Sequence, residues 1–403
     1  MQSKPLEGIK VVDMSFYAAG PVIARILADW GADVIKVESL DGDVTRRIDA
    51  NMHIPRGPET GPNFDILNVN KRAIAVNLKT DEGKEIMEKL LAKADVFNSN
   101  MRMKALTKMG LDYESIHARF PKIVWAHLSA YGLVGPDKDD PGFDTVAYWA
   151  RTGKMIDFAE KDTSPLVPPI AVGDIMAGPV LAGGIAAALV QRLKTGKGDQ
   201  VLTSLYGMGI WSNAIMGLAV QGPVTRYPKS RKQNSPLSNT YKCKDGEWIM
   251  VMALNWSRQF PQIMKLLGLE KYIDDPRYAD TESADANSEE LICAIEEKML
   301  LHTVAEWDRI FKDNDIPHSV LRHMGDEFHD EQALVNGFVY PYQSVVGEYM
   351  LPAPPVQIGG HFPPEHRLAP PLLGGNTAEI MKEYGYSDAQ IDDFKKKKII
   401  IVR

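Results

Sequence analysis

The sequence predicts an α/β fold: an open, mostly parallel, Rossmann-like sheet in a large domain, followed by a smaller α+β domain. Three observations carry this. Short runs rich in Val and Ile alternate with helix-like stretches through the first half, capping residues and glycines punctuate them, and the strands recur at the spacing of right-handed crossovers.

Residues 9–13 read as a strand, a helix runs on through Trp30 and stops at Gly31, and 33–37 form the next strand, which completes one βαβ unit. The pattern repeats with a strand over 73–78, a helix from Thr80 as N-cap to about Ala94, a strand over 95–98 and another over 123–129. Residues 139–169 read as loop. A long Ala/Gly-rich helix then starts at Asp174, after a strand-like stretch, and stops at Gly196 and Gly198. A strand over 200–204 and an apolar helix over about 207–220 follow, then a polar, basic stretch over 226–234 that reads as a linker or active-site loop. A strand over 248–253 and helices to about Asp313 make up the smaller domain, and the chain ends in a Pro-rich stretch and two helical segments after Asn376. The expected division is 1–225 for the first part of the large domain, 226–330 for the small domain with its linkers, and 331–403 for a segment that returns to the large domain. No internal repeat is evident.

With 403 residues and 44% hydrophobic content the chain can bury a large core. A formal net charge of -7, with no cluster of Lys and Arg interleaved with aromatics, argues against nucleic acid and for a small-molecule partner. Cys243 and Cys293 are too few for a disulfide framework, and no apolar signal core opens the chain, so a cytoplasmic location is expected. The apolar run 171–190 contains Asp174 and is Ala/Gly-rich, so it reads as a tightly packed core or interface helix and no membrane contact is expected.

Asp174 is the candidate catalytic residue. A carboxylate beside Gly173 at a helix mouth can act as a nucleophile, because glycine lets a substrate carbonyl approach and the helix N-terminus favours the ionised form. The same position also suits a plain N-cap. The first strand-to-helix turn carries one glycine, Gly20, where a dinucleotide fingerprint needs three, so Glu38 reads as a surface residue at a strand end rather than a ribose ligand. Nine histidines, among them His361 and His366, show no metal-ligand spacing, so no metal is expected. Neither a nucleophile elbow nor a P-loop is present. Lys71, Arg72, Arg102, Lys104 and Lys108 follow strand ends, where an open parallel sheet binds ligands; each is otherwise a solvated charge.

Taken in order, several short motifs make the chain resemble the class III CoA-transferases. They are Ala19-Gly-Pro21, the run from Leu27 to Glu38, Asn70-Lys-Arg72, Gly173-Asp174, Thr195-Gly-Lys-Gly198 and Pro371-Leu-Leu-Gly-Gly-Asn-Thr377. The resemblance covers nearly the whole chain. It implies that Asp174 attacks an acyl-CoA thioester and passes through anhydride and aspartyl-CoA forms. It implies no tightly bound cofactor, with coenzyme A and acyl-CoA as substrates. It further implies that Ala18, Ser39, Asn70, Lys71, Arg72, Asn100, Arg102, Lys108 and Phe143 lie at or beside the CoA site, and that the chain forms a homodimer of interlocked rings. Formyl-CoA transferase has glutamine where this chain has Ala18 and arginine where it has Ser39, and its glycine-rich loop is replaced here by something like Lys232-Gln-Asn-Ser-Pro-Leu-Ser-Asn239.

Within the family the chain is most similar to the 2-hydroxyacyl-CoA transferases of amino-acid-fermenting anaerobes, through Gly135-Pro-Asp-Lys-Asp-Asp-Pro-Gly-Phe-Asp144, Ala147-Tyr-Trp-Ala-Arg-Thr-Gly153 and the C-terminal Ile400-Ile-Val-Arg403. This implies (R)-2-hydroxyisocaproate as acceptor, with (R)-phenyllactate as the alternative. Small Ala18 beside Phe16, Tyr17 and Trp149 suggests an apolar, medium-sized acyl pocket. An α-methylacyl-CoA racemase, with His127 as its base, and a non-catalytic CoA-binding protein are the readings from other classes.

Overall fold

The computed structural model describes residues 4–222, 230–359 and 368–403. Residues 226–229 of the basic stretch, together with His361 and His366, lie outside the described residues. The chain divides into two compact units, one of Met1–Thr152, Pro168–Gly217 and Glu327–Arg403, the other of Gly153–Val167 and Leu218–Asp326. Residues 153–167 belong to the second unit, a piece that the linear division left in the first.

The first unit is built on a seven-stranded sheet. Its strands are β1 (Lys10–Met14), β2 (Asp33–Glu38), β3 (Arg72–Val76), β4 (Val96–Ser99), β5 (Val124–Ser129), β6 (Gln200–Ser204) and the short strand Ile400–Ile401. The order across the sheet is Ile400–Ile401, β3, β2, β1, β4, β5, β6. All pairs are parallel except the last-formed edge, where Ile400 lies antiparallel to Val76 and Ile401 to Ala75. The inner strands are buried almost throughout, as a sheet covered on both faces requires, and this is why they read as unbroken apolar runs.

Helices α1 (Ala19–Asp29), α3 (Asp81–Ala92), α4 (Met103–Met109) and α5 (Tyr113–Arg119) pack on this sheet, and α2 (Pro62–Asn68) lies against α1. Thr80 caps α3 through its hydroxyl, which accepts the Gly83 N–H at 3.1 Å. Gly110 ends α4 in the left-handed conformation, φ 66°. The long helix is Val172–Thr195, with Gly196 as its left-handed C-cap, and it lies against α1. No strand precedes it: residues 164–169 have no regular structure, so the strand-like composition before Asp174 reflects a loop. The apolar stretch after β6 is two short helices, Leu205–Ser212 and Ala214–Ala219.

The C-terminal segment is part of this unit's core. Ile380, Tyr384, Ile391, Phe394 and Ile400 join Val12, Ile35, Ile74 and Trp125 in one apolar cluster. Arg72 ties the segment down, with Asp33 at 2.8 Å, Glu379 at 2.9 Å and Glu383 at 2.6 Å. Glu38 is not a surface residue. It is 5% exposed and pairs with Arg46 at 2.5 Å and 2.9 Å, while the Arg46 guanidinium also lies over the Phe64 ring. A hairpin, Val339–Ser344 with Gly347–Pro352, adds a feature that the apolar pattern did not announce.

The second unit has its own three-stranded antiparallel sheet, Ser238–Lys242, Trp248–Met252 and His318–Val320. Helices Trp256–Leu267, Ser288–Met299 and Val304–Asp313 cover it, around Tyr241, Phe260, Ile292, Trp307 and Phe311. A 3-10 turn, Arg231–Gln233, held by a Ser230/Gln233 capping box, precedes this sheet.

Candidate active site

In this strand order the connections reverse direction between β1 and β4, and an open parallel sheet binds its ligands in the crevice beyond the carboxyl ends of such a pair. A cleft opens at this point. Phe16 and Tyr17 line it from the turn after β1, Asn100, Met101 and Arg102 from the turn after β4, and Asp174 from the first turn of the long helix.

The turn after β1 is held rigidly. The Phe16 N–H donates to Asn100 Oδ1 at 3.0 Å, and Asn100 Nδ2 donates back to the Phe16 carbonyl at 2.8 Å. Lys36 Nζ donates to the Ser15 carbonyl at 2.8 Å and to Asp43 Oδ2 at 2.9 Å, and the Tyr17 N–H reaches Asp43 Oδ1 at 3.3 Å. Tyr17 itself has φ 60°, a conformation that costs about 1–3 kcal/mol in a non-glycine residue and persists only where its surroundings impose it. Its ring meets Phe143 edge-on, centroids 5.5 Å apart.

Asp174 does not cap its helix. Ala171 occupies the N-cap position with φ 64° and no side-chain bond. The cap comes from elsewhere: Asp144 Oδ1 accepts the Gly173 N–H at 2.8 Å. Gly173 is required by this packing rather than by substrate access, since a Cβ there would stand 2.4 Å from Asp144 Oδ1 and 2.5 Å from the Tyr148 ring. With its N–H groups turned to Asp144, the helix end does not favour an ionised Asp174. Burial raises the Asp174 carboxyl to about 7, and the negative charge of Asp144 adds to the rise. Burial also raises Asp144, opposed by the backbone N–H groups of the helix end, Gly173 foremost.

The expected site residues separate into groups. Phe16, Tyr17, Asn100, Arg102, Phe143 and Asp174 share the cleft wall. Ala18 is half-buried just before α1, while Ser39 and Lys108 are exposed away from the wall. Four of them are buried or engaged with other groups of the protein.

Lys71 is 1% exposed and its three ammonium protons go to Asp13 Oδ2 at 2.9 Å, the Pro21 carbonyl at 2.8 Å and Asn68 Oδ1 at 3.0 Å, so it offers no charge to a ligand; burial lowers it to about 8. Asn70 is likewise buried, donating to Asp29 at 2.6 Å and accepting the Leu368 N–H at 3.1 Å, and the Arg72 side chain is engaged with three carboxylates. Trp149 is buried, its ring edge-on to Tyr148 with centroids 5.9 Å apart, and it is not on the cleft wall.

Asp144 was not singled out by its residue type; the only signal was its place in the 135–144 motif. Lys138, exposed and in the same motif, and Met101 and Met103, which had no signal of their own, are further wall residues. His127 lies on β5 and on the wall, stacked on Trp125, with Nε2 2.8 Å from the Met101 carbonyl; burial lowers its pKa. The site therefore presents one half-buried carboxyl at the end of an aromatic and methionine-lined cleft, with Arg102 and Lys138 on its wall.

The family model described as CoA-transferase family III matches residues 6–377. The chain is 37% identical to the (R)-2-hydroxy-4-methylpentanoate CoA-transferase of Clostridioides difficile, over 98% of this chain and 99% of that one. It is 38% identical to the cinnamoyl-CoA:phenyllactate CoA-transferase of Clostridium sporogenes, over 98% and 97%. A crystal structure of a CAIB/BAIF family protein from Brucella suis superposes with a TM-score of 0.80 at 28% identity, covering 95% of this chain and 100% of that chain.

Proposed function

The chain belongs to CoA-transferase family III, and on that premise we propose that it moves CoA from an acyl-CoA donor to a 2-hydroxy acid through a covalent intermediate on Asp174. It is a class III CoA-transferase; the acceptor and the covalent residue are the proposal. The observation that carries it is the position of Asp174, on the first turn of the long helix and facing the cleft at the sheet's switch point.

An ionised Asp174 oxygen adds to the thioester carbonyl carbon, the C–S bond breaks, and CoA leaves as a thiolate. The thiolate then adds to the Asp174 acyl carbon and the donor acid leaves as a carboxylate. The acceptor carboxylate reverses both steps and departs with the CoA. The thioester's activation stays on the enzyme, and no metal or tightly bound cofactor is called for.

We favour (R)-2-hydroxyisocaproate as the acceptor, with (R)-phenyllactate as the second reading. Phe16, Tyr17, Met101, Leu128 and Phe143 give the cleft an apolar wall that suits a branched or aromatic chain and would leave a second carboxylate buried without a partner. The two relatives whose names carry these acids support the choice equally. Arg102 and Lys138 are our candidates for the CoA phosphates. A homodimer is supported by Leu193, Trp211 and Ile215, which are 82%, 82% and 85% exposed in the single chain, more than isolated surface apolars need to be. Both cysteines are unpaired in the structure, in keeping with a cytoplasmic setting.

The test has two arms. Incubation with acyl-CoA should leave an adduct on Asp174 that hydroxylamine converts to a hydroxamate, detected by intact mass; no adduct, with α-proton exchange instead, would make the protein a racemase. Measuring kcat/KM for 2-hydroxyisocaproate, phenyllactate, lactate and oxalate then ranks the acceptors, and oxalate in the lead would overturn the apolar-pocket argument.

A further inference from the structure

We propose that Asp144 is a positioning residue that holds a fixed negative charge against Asp174 and so tilts the reaction toward the covalent, uncharged forms of the enzyme. This rests on the reading of Asp174 as the covalent residue and goes one step beyond it.

Asp144 reaches the helix end from the segment Asp144–Ala150, and its Oδ1 accepts the N–H of the residue immediately before Asp174 at 2.8 Å. It is 3% exposed, so its charge is poorly screened, and Gly173 leaves the space that brings it close. Two carboxylates in one site repel each other, and the site answers by raising the carboxyl of Asp174.

The chemistry makes this repulsion useful. Free Asp174 carries a charge of minus one. In the anhydride the charge has moved to the CoA thiolate, and in the aspartyl thioester it has left with the donor carboxylate. Each covalent form therefore relieves the contact with Asp144, while the free carboxylate restores it. A helix N-terminus left open to Asp174 would do the opposite, stabilising the free anion and penalising its acylation. By taking the N–H groups itself, Asp144 both removes that stabilisation and adds a repulsion.

The remaining titratable or charged groups on the cleft wall are Tyr17, Arg102, His127, Lys138 and Asp140, and Tyr148 packs against Gly173; of these, none contributes to the raised carboxyl of Asp174, whereas Asp144 does.

Asp144→Asn removes the charge and keeps the one hydrogen bond the argument needs, because its amide oxygen can still accept the Gly173 N–H. The full-length protein, wild type and variant, is held with isocaproyl-CoA and no acceptor acid, quenched, and the ratio of covalent to free enzyme read by intact mass. The expected result is a ratio about tenfold lower in the variant, with the acid limb of kcat/KM displaced to lower pH by about one unit. An unchanged ratio and an unchanged limb would overturn the proposal, and Asp144→Ser, another short acceptor, carries the same test should the Asn variant fail to fold. Absence of any adduct in the wild type would instead sink the covalent reading of Asp174 itself, so the two failures are distinct.

Discussion

Phe16 and Asn100 clasp each other twice across the switch point: the Phe16 N–H donates to Asn100 Oδ1 at 3.0 Å, and Asn100 Nδ2 donates to the Phe16 carbonyl at 2.8 Å. The amide side chain does here what a neighbouring strand would do, satisfying both polar groups of one residue and joining the turn after β1 to the turn after β4. Asn100→Asp keeps the shape but replaces the donor with a charge facing a carbonyl. It should cost about 1–3 kcal/mol and loosen the wall that carries Phe16 and Tyr17. The expected kinetic signature is a raised KM for acyl-CoA with a smaller change in kcat, and a KM equal to wild type would show that this wall does not contact the bound thioester.

Gly173→Ala should be severe for a substitution of one methyl group. Its Cβ would lie 2.4 Å from Asp144 Oδ1 and 2.5 Å from Tyr148 Cγ, so either the helix end or the Asp144 segment must move. Displacing Asp174 by about 1 Å should lower activity by about a hundredfold, while overpacking costs about 1–3 kcal/mol of stability. Activity within a few-fold of wild type in a folded Gly173→Ala protein would show that the spacing is not needed.

Arg72 reaches the C-terminal segment through Glu379 and Glu383 while holding Asp33 at the start of β2. The two glutamates are about half exposed, so this latch is worth only about 1–2 kcal/mol. Arg72→Ala should therefore lower the denaturant midpoint modestly and leave KM for acyl-CoA unchanged. A raised KM at wild-type stability would return Arg72 to the CoA site, where family likeness puts it.

These residues show where sequence reading succeeds and where it stops. The strands β1 to β5 were legible because both faces of a parallel sheet are covered there and the strands are short and mostly apolar. The place of Asp174 at a helix mouth was legible because a glycine and a carboxylate before an apolar run are a local pattern. The ion pairs of Lys71 and Arg72 were not legible because their partners are remote: Asp13 is 58 residues away, and Glu379 and Glu383 lie 307 and 311 residues on. Asp144 escaped for the same reason, since its partner Gly173 is 29 residues away and nothing in either residue's neighbourhood announces the contact. The hairpin Val339–Ser344 with Gly347–Pro352 carries Pro341 and a mixed burial pattern, so its period-2 signal is weak.

Asp174→Asn should abolish CoA transfer and at the same time stabilise the unliganded protein, and the pH dependence of that gain is its signature. The carboxyl is raised from 3.8 to about 7 in the folded state, so the folded protein holds its proton more tightly than the unfolded chain does. The stability this contributes is complete below pH 3.8. It is lost progressively as the unfolded carboxyl ionises and pH rises toward 7, and above 7, where the folded carboxyl ionises too, nothing more is lost. Asparagine has no such dependence. The advantage of the Asn variant should accordingly be small at pH 4, grow through pH 5 and 6, and level off above pH 7 at no more than about 4 kcal/mol, with partial solvent access to the cleft reducing it. Urea midpoints of both proteins at pH 4, 6 and 8 measure this. A difference that is flat across the range would mean that Asp174 ionises as it would in water, and would remove the electrostatic reason for its place beside Asp144.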